Sequence, residues 1–203
     1  MKEPKPHFQG RLDVFCAIYA VINALVLTHT LSAGRARSLL HETLLDMADN
    51  RELFALQLNQ LVEYHELVDS MLNREALQLD LLIRTPFPDE EITPKDEVWN
   101  TLARWLAHPG RAAVLRFVRP LAVPGDLEIR HWSTARSVDG ERIDLFDCSR
   151  EETAIHEIRY ETCLTAPSGL CPGLVYLDPS SIRLLGNPAI SRRASFLDKF
   201  SSS

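Results

Sequence analysis

No apolar stretch in this sequence is long enough to cross a bilayer. The longest run, Val14 to Leu27, has fourteen residues and is interrupted by Asn23, whereas a spanning helix takes about 20. It is also a poor signal-peptide core. Lys2 and Lys5 precede it, but Glu3 and Asp13 lie in the supposed basic region and no small-residue cleavage site follows. A buried helix in a chain without a signal peptide is the expectation. Cysteine is scarce: Cys16, Cys148, Cys163 and Cys171 contain no C-x-x-C pair, which argues against a disulfide framework and leaves Cys163–Cys171 as the one pairing to weigh. Glycine is low, eight against twelve prolines, so loops of defined shape are expected. Positive charge is in deficit, 22 Lys and Arg against 28 Asp and Glu for a net −6. Such a chain is ill suited to gripping a phosphate backbone or an anionic membrane, so neither nucleic acid nor membrane is expected as a partner. Phosphate-loop, dinucleotide-binding and nucleophile-elbow signatures are missing. The His-Glu pairs at His41, His65 and His156 lack a second His four residues on, where Leu45, Asp69 and Tyr160 stand. No metal or cofactor is expected.

What remains is an ordinary globular composition, 45% apolar and 25% charged over 203 residues, enough for one domain with a real core. That domain is placed at residues 1–190, with 191–203 as a disordered tail. A Pro-rich acidic connector, Thr85 to Pro94, separates a helical part (14–84) from a sheet part (95–186). Helical spacing runs through 16–31, through 35–48 with Leu39, Leu40, Leu44 and Met47 on one stripe, and through 52–72. Asp80 to Arg84 reads as a short strand. Asp96 to Ala107 is an amphipathic helix stopped by His108-Pro109-Gly110. Strands are expected at 112–118, 127–138, 141–147, 153–160 and 174–177. Helices first and an antiparallel sheet second describe an α+β fold.

Cys16 falls where an irregular segment becomes the long buried helix. Unpaired amides at a helix start carry partial positive charge and favour a thiolate. Gln9, seven residues earlier, has a side-chain amide that can donate to an oxyanion, and the Cys16 amide supplies a second donor. The plainer alternative is that Cys16 is a small buried hydrophobe.

The second cluster lies in residues 127–147, LEIRHWSTARSVDGERIDLFD. Asp139-Gly140 marks a hairpin turn. A two-residue loop would set His131 opposite Cys148. A three-residue loop, Val138 to Gly140 with Gly140 left-handed in a bulge, would set it opposite Asp147. In the latter register a carboxylate can orient the imidazole. Asp144 has the wrong parity and should point away. His156, the rival base, has no obvious acid partner.

Taken in order, Gln9, Cys16, His131-Trp132 and Asp147-Cys148-Ser149 resemble a papain-like cysteine peptidase, closest to the bacterial C39-like group. The Ala20–Leu25 segment with its Asn-Ala-Leu resembles the helix after the nucleophile in that clan. Three positions depart from the family pattern: Ala17 stands where Gly is usual, Gln9 is one residue further from the nucleophile than is common, and Cys148 replaces a Pro. The resemblance implies a papain-like fold, a nucleophile helix packed on an antiparallel sheet, and a triad of Cys16, His131 and Asp147 with Gln9 in the oxyanion hole. It implies hydrolysis of a peptide or isopeptide bond in a protein or peptide substrate. The alternatives on the same residues are an effector-type glutamine deamidase or acyltransferase, or a non-catalytic binding scaffold. A stand-alone cytoplasmic protein is expected, or one exported by a dedicated secretion machine. The helical insert at 35–78 is expected to shape the substrate groove, to bind a partner or to be purely structural.

Overall fold

The computed structural model describes residues 4–8, 15–58, 64–88, 93–122, 128–149 and 154–190. Gln9 and the expected tail at 191–203 lie outside the described residues. Helix α1 (Cys16–His29) is apolar on nearly every side and is buried from Cys16 through Val26, apart from Tyr19. A helix with no polar face must be enclosed. It is enclosed by α2 (Ala33–Asp49) and α4 (His65–Ala76) on one side and by the sheet on the other, with the short α3 (Arg51–Leu58) against α2. Leu39, Met47, Val68, Met71 and Leu72 supply the covering side chains. The helix expected over 52–72 is therefore two, α3 and α4, which pack on different neighbours. Polar residues at helical spacing hide such a break from periodicity.

Two polar features lock the helical layer. Ser32 caps α2 by accepting from the Arg35 amide at 3.2 Å. Arg35 then reaches the fully buried Glu75 on α4 at 2.8 Å. Asn23, also fully buried, accepts from the His7 amide at 2.7 Å and donates to the His7 carbonyl at 3.1 Å. The residue that interrupts the longest apolar run thus ties the N-terminal segment to α1.

Beyond β1 (Leu82–Arg84) and α5 (Lys95–Leu106) come β2 (Arg111–Pro120), β3 (Glu128–Val138), β4 (Arg142–Leu145), β5 (Glu157–Arg159), β6 (Cys163–Leu164) and β7 (Val175–Gly186). The order is β1-β7-β2-β3-β4-β5, with β6 also on β7. The architecture is α+β. The sheet is antiparallel except where β6 runs parallel to β7, a correction to the expected all-antiparallel sheet. Arg159 on β5 and Cys163 on β6 are four residues apart, a reach of about 14 Å. A flat sheet would separate β5 from β6 by five strand spacings, about 24 Å. The sheet is therefore curled until its two edges approach at that end.

Helix α5 packs inside the curl. Its first turn carries Asp96 and Glu97, which favour the helix N-terminus. Along β2, Ala112 and Val114 join the α1 core while Ala113, Leu115 and Phe117 join the α5 core, so the strand reads as one apolar run because both its faces are covered. The last strand is far longer than the expected 174–177. It passes through Pro179 by a shift in register between Val114 and Arg116 on β2. Pro179 has no N–H to give, and Ser181 fills the gap, accepting from the Arg116 amide at 2.8 Å and donating to the Asp178 carbonyl at 2.6 Å.

Replacing Asn23 with Ala leaves the His7 amide and carbonyl without partners. The expected loss is about 1–3 kcal/mol of unfolding free energy, measured by urea denaturation and accompanied by faster proteolysis near His7.

Candidate functional site

Cys16 is the first residue of α1; Phe15 stands at the N-cap position with a side chain that makes no capping hydrogen bond, and the first turn holds no acidic residue. The amides that a cap would engage are thus directed past Cys16. The sulfur accepts from the Trp132 amide of β3 at 3.5 Å. Thr134, two residues on, donates to the Ala20 carbonyl at 2.7 Å. These bonds fix the start of α1 against β3, and the Trp132 indole is buried in the α1 core.

The hairpin between β3 and β4 takes neither expected register. Val138 pairs with Ile143 and Ser137 with Asp144, but Ala135 pairs with Leu145, so Arg136 is an extra residue on β3. The loop residues are Gly140 and Glu141, flanked by Asp139 and Arg142, whose backbones join at 3.0 Å. The turn is displaced because Asp139 caps it: its carboxylate accepts the Glu141 and Arg142 amides at 3.0 and 2.9 Å. Gly140 accordingly has no positive φ. Past the bulge, the Phe146 amide donates to the Thr134 carbonyl at 2.7 Å, a register that sets Asp147 opposite Ser133. His131 and Asp147 are then diagonal neighbours on one face rather than directly opposed. The expected proximity stands while its geometric basis changes.

His131 Nε2 lies 2.8 Å from Asp147 Oδ1. A carboxylate only accepts, so Nε2 donates, and Nδ1 is the ring nitrogen left to exchange a proton. Ser133 also donates to Asp147 Oδ1, at 2.6 Å, and the Ser149 amide donates to Oδ2 at 3.2 Å. Cys16, His131 and Asp147 are only 7, 8 and 4% exposed. Burial pushes the His131 pKa down, but hydrogen bonds with Asp147, Cys148 and Cys16 and the Cys16 charge outweigh it, and the result is well above the ordinary imidazole value. Burial likewise pushes the Asp147 pKa up, and the His131 bond and charge, with Ser133 and the Ser149 amide, bring it below the ordinary range. Both shifts favour an imidazolium beside a carboxylate.

The structure therefore brings together Cys16, His131 and Asp147. Gln9 is outside the described residues. Asp144 points away, bonded to Arg136 and Ser137, and His156 is exposed at the far side of β4. All four cysteines are free thiols, so Cys163 and Cys171 are not paired. Cys148 also reaches His131, its sulfur 3.9 Å from Nε2, but burial pushes its pKa up to about 11. That shift favours the neutral thiol at Cys148.

Several residues at the site escaped sequence reasoning. Ser133 is two residues from His131 and shares its face, a signal that alternation alone provides. Tyr64, before α4, is buried close enough to feel the Cys16 charge. Phe54 of α3 stacks on Phe15 with ring centroids 6.4 Å apart. His65 meets the Trp132 ring edge-on at 5.1 Å. The helical insert thus flanks Cys16 and Trp132 as well as covering α1.

Among the described residues one group has the donors to hold a metal ion, His131, Asp147 and Cys148. Ligands of a tetrahedral zinc lie about 3.3 Å apart, given bonds of about 2.0–2.1 Å. The 2.8 Å between Nε2 and Oδ1 is instead the length of a charge-assisted hydrogen bond. Set against known proteins, the sequence matches no family model and no curated relative.

The pKa shifts give the stability of the site a defined pH window. The Asp147 contribution is present above the unfolded carboxylate value and is lost as pH falls through its lowered pKa. The His131 contribution is complete below about pH 6.5 and is lost as pH rises through the raised pKa. In Asp147→Asn the His131 pKa is expected to fall, followed by NMR titration of its ring protons. Stability should then become less dependent on pH on the alkaline side.

Proposed function

We propose that this chain is a thiol hydrolase of the papain-like, C39-like kind, acting on a peptide or isopeptide bond of a protein or peptide substrate. The observation that carries the reading is the meeting of Cys16, at the start of α1, with a His131–Asp147 hydrogen bond of 2.8 Å. The curled sheet joined to a helical layer through a central buried helix agrees with the papain-like arrangement that the motif order implies.

The chemistry follows from these positions. His131 takes the Cys16 proton at Nδ1 while Asp147 holds Nε2–H, which fixes the tautomer and stabilises the imidazolium. The sulfur attacks the acyl carbon, and the carbonyl electron pair moves onto oxygen to give a tetrahedral oxyanion. The Cys16 amide is placed to donate to that oxygen. Gln9 is assigned the second donor by resemblance. As the intermediate collapses, the C–N bond breaks and His131 returns its proton to the departing amine, leaving a thioester. Water, deprotonated by His131, then attacks the thioester, releasing the acid and restoring the thiol. Glutamine deamidation follows the same steps with ammonia as leaving group, and acyl transfer replaces water by an amine.

A vinyl-sulfone or acyl probe is expected to label Cys16 in the wild type, and labelling should drop by at least about 10³-fold in His131→Ala. Cys148, held as a thiol, should stay unmodified. Comparison of protein N-termini and glutamine deamidation in cells expressing wild type or Cys16→Ala then separates the reactions. New N-termini mean cleavage, and new glutamates mean deamidation. Failure of Cys16 to react, with identical proteomes, leaves only a binding scaffold.

A further inference from the structure

Arg84 of β1, Arg104 of α5 and Arg111 of β2 converge on an open pocket of about 690 Å³ that Thr85, Thr101 and Trp105 also line. None of the three makes an ion pair with a carboxylate among the described residues, whereas Arg35, Arg74, Arg116, Arg142 and Arg183 each do. Like charges are instead held together. The guanidiniums of Arg84 and Arg111 both lie over the Trp105 ring, 5.4 and 4.2 Å from its centroid. That ring is immobilised, because its Nε1–H donates to the Ala112 and Leu185 carbonyls at 3.2 and 3.1 Å. Arg111 is half-buried and its Nε has no hydrogen-bond partner. Burial and the Arg84 charge both push its pKa down. Arg104 uses Nε on the Asn100 carbonyl at 3.2 Å, which leaves its two terminal nitrogens.

We propose that Arg84, Arg104 and Arg111 form a binding site for a phosphate dianion, free or as the monoester end of a larger molecule. Attraction to an aromatic face is modest at exposed sites and does not by itself account for three cations converging without an anion. A dianion answers the charge, and planar guanidinium forks match phosphate oxygens two at a time. The Thr85 and Thr101 hydroxyls add uncharged donors at the rim. A lone carboxylate would neutralise one charge of three. The pocket lies at the start of β2, six residues from Phe117, which pairs with His131; that is about 20 Å along the strand, so ligand here does not touch the thiol site.

The test is thermal unfolding of the full chain in sodium phosphate, in phosphoserine and in sodium chloride of equal ionic strength. A ligand at tenfold its Kd is expected to raise Tm by about 3 °C over chloride. A rise with inorganic phosphate alone assigns the site to the free ion, and a rise with phosphoserine as well assigns it to a monoester. In Arg84→Gln and Arg104→Gln, both at exposed positions, the rise should be lost, while alkylation of Cys16 is unaltered. The Trp105 indole N–H resonance should shift on adding phosphate to the wild type and stay still in the variants. No rise beyond chloride in the wild type, or an undiminished rise in both variants, overturns the proposal.

Discussion

The hydrogen bond from His131 to Asp147 exists because β3 carries one residue more than the strand it faces. Near the turn, numbering across the hairpin would set Asp147 opposite Thr134, whose side chain bonds the Ala20 carbonyl of α1. The extra residue, Arg136, reverses the parity beyond it, and Asp147 comes round to the face that holds Ser133 and His131. Bulges re-aim side chains in this way. A buried carboxylate without donors is costly, so the reversal is stable only because three donors await it: the imidazole, the Ser133 hydroxyl and the Ser149 amide.

Cys16 is positioned by a separate constraint. Helix α1 has no face that water can share, so the fold must close around it and only its ends can meet solvent or substrate. Cys16 is the first helical residue, where the amides are not yet engaged by the helix itself. The Trp132 amide then supplies a fixed point on β3, one residue from His131. The two neighbouring thiols differ in place. Cys148 touches the same imidazole but sits in the α1 core without a helix terminus behind it, and burial dominates its ionisation.

Much of this was legible in the residues. An apolar run of helical length announced α1, and stripes such as Leu39 and Met47 announced α2, because burial has a period. The order Cys16, His131, Asp147 was legible as chemistry. The hairpin register was not, because it turned on whether Asp139 would sit inside the loop or cap it, a contest between a side chain and a backbone worth about a hydrogen bond. The length of β7 was hidden by Asp178-Pro179-Ser180-Ser181, which reads as a turn. Only the partner strand, through the Arg116 amide on Ser181, lets the ladder resume. The separation of α3 from α4 left no mark in hydrophobic spacing: α4 buries Val68, Met71 and Leu72, whereas the leucines Leu56 and Leu58 of α3 are exposed.

The treatment of charge joins the two ends of the molecule. Among the described residues each buried acid meets a cation: Asp147 meets His131, Glu75 meets Arg35 and Asp178 meets Arg116. Arg183, nearly buried, is answered by Asp69 on α4. The chain has six more acidic than basic side chains, so a shortage of carboxylates does not explain why Arg84, Arg104 and Arg111 go without one. The Arg84 charge acts on the half-buried Arg111, and the Trp105 ring faces both guanidiniums. A polypeptide free to place an acid at Thr85 or Thr101 has placed hydroxyls there instead. Hydroxyls donate to an incoming anion, whereas an acid would compete with it for the same guanidiniums.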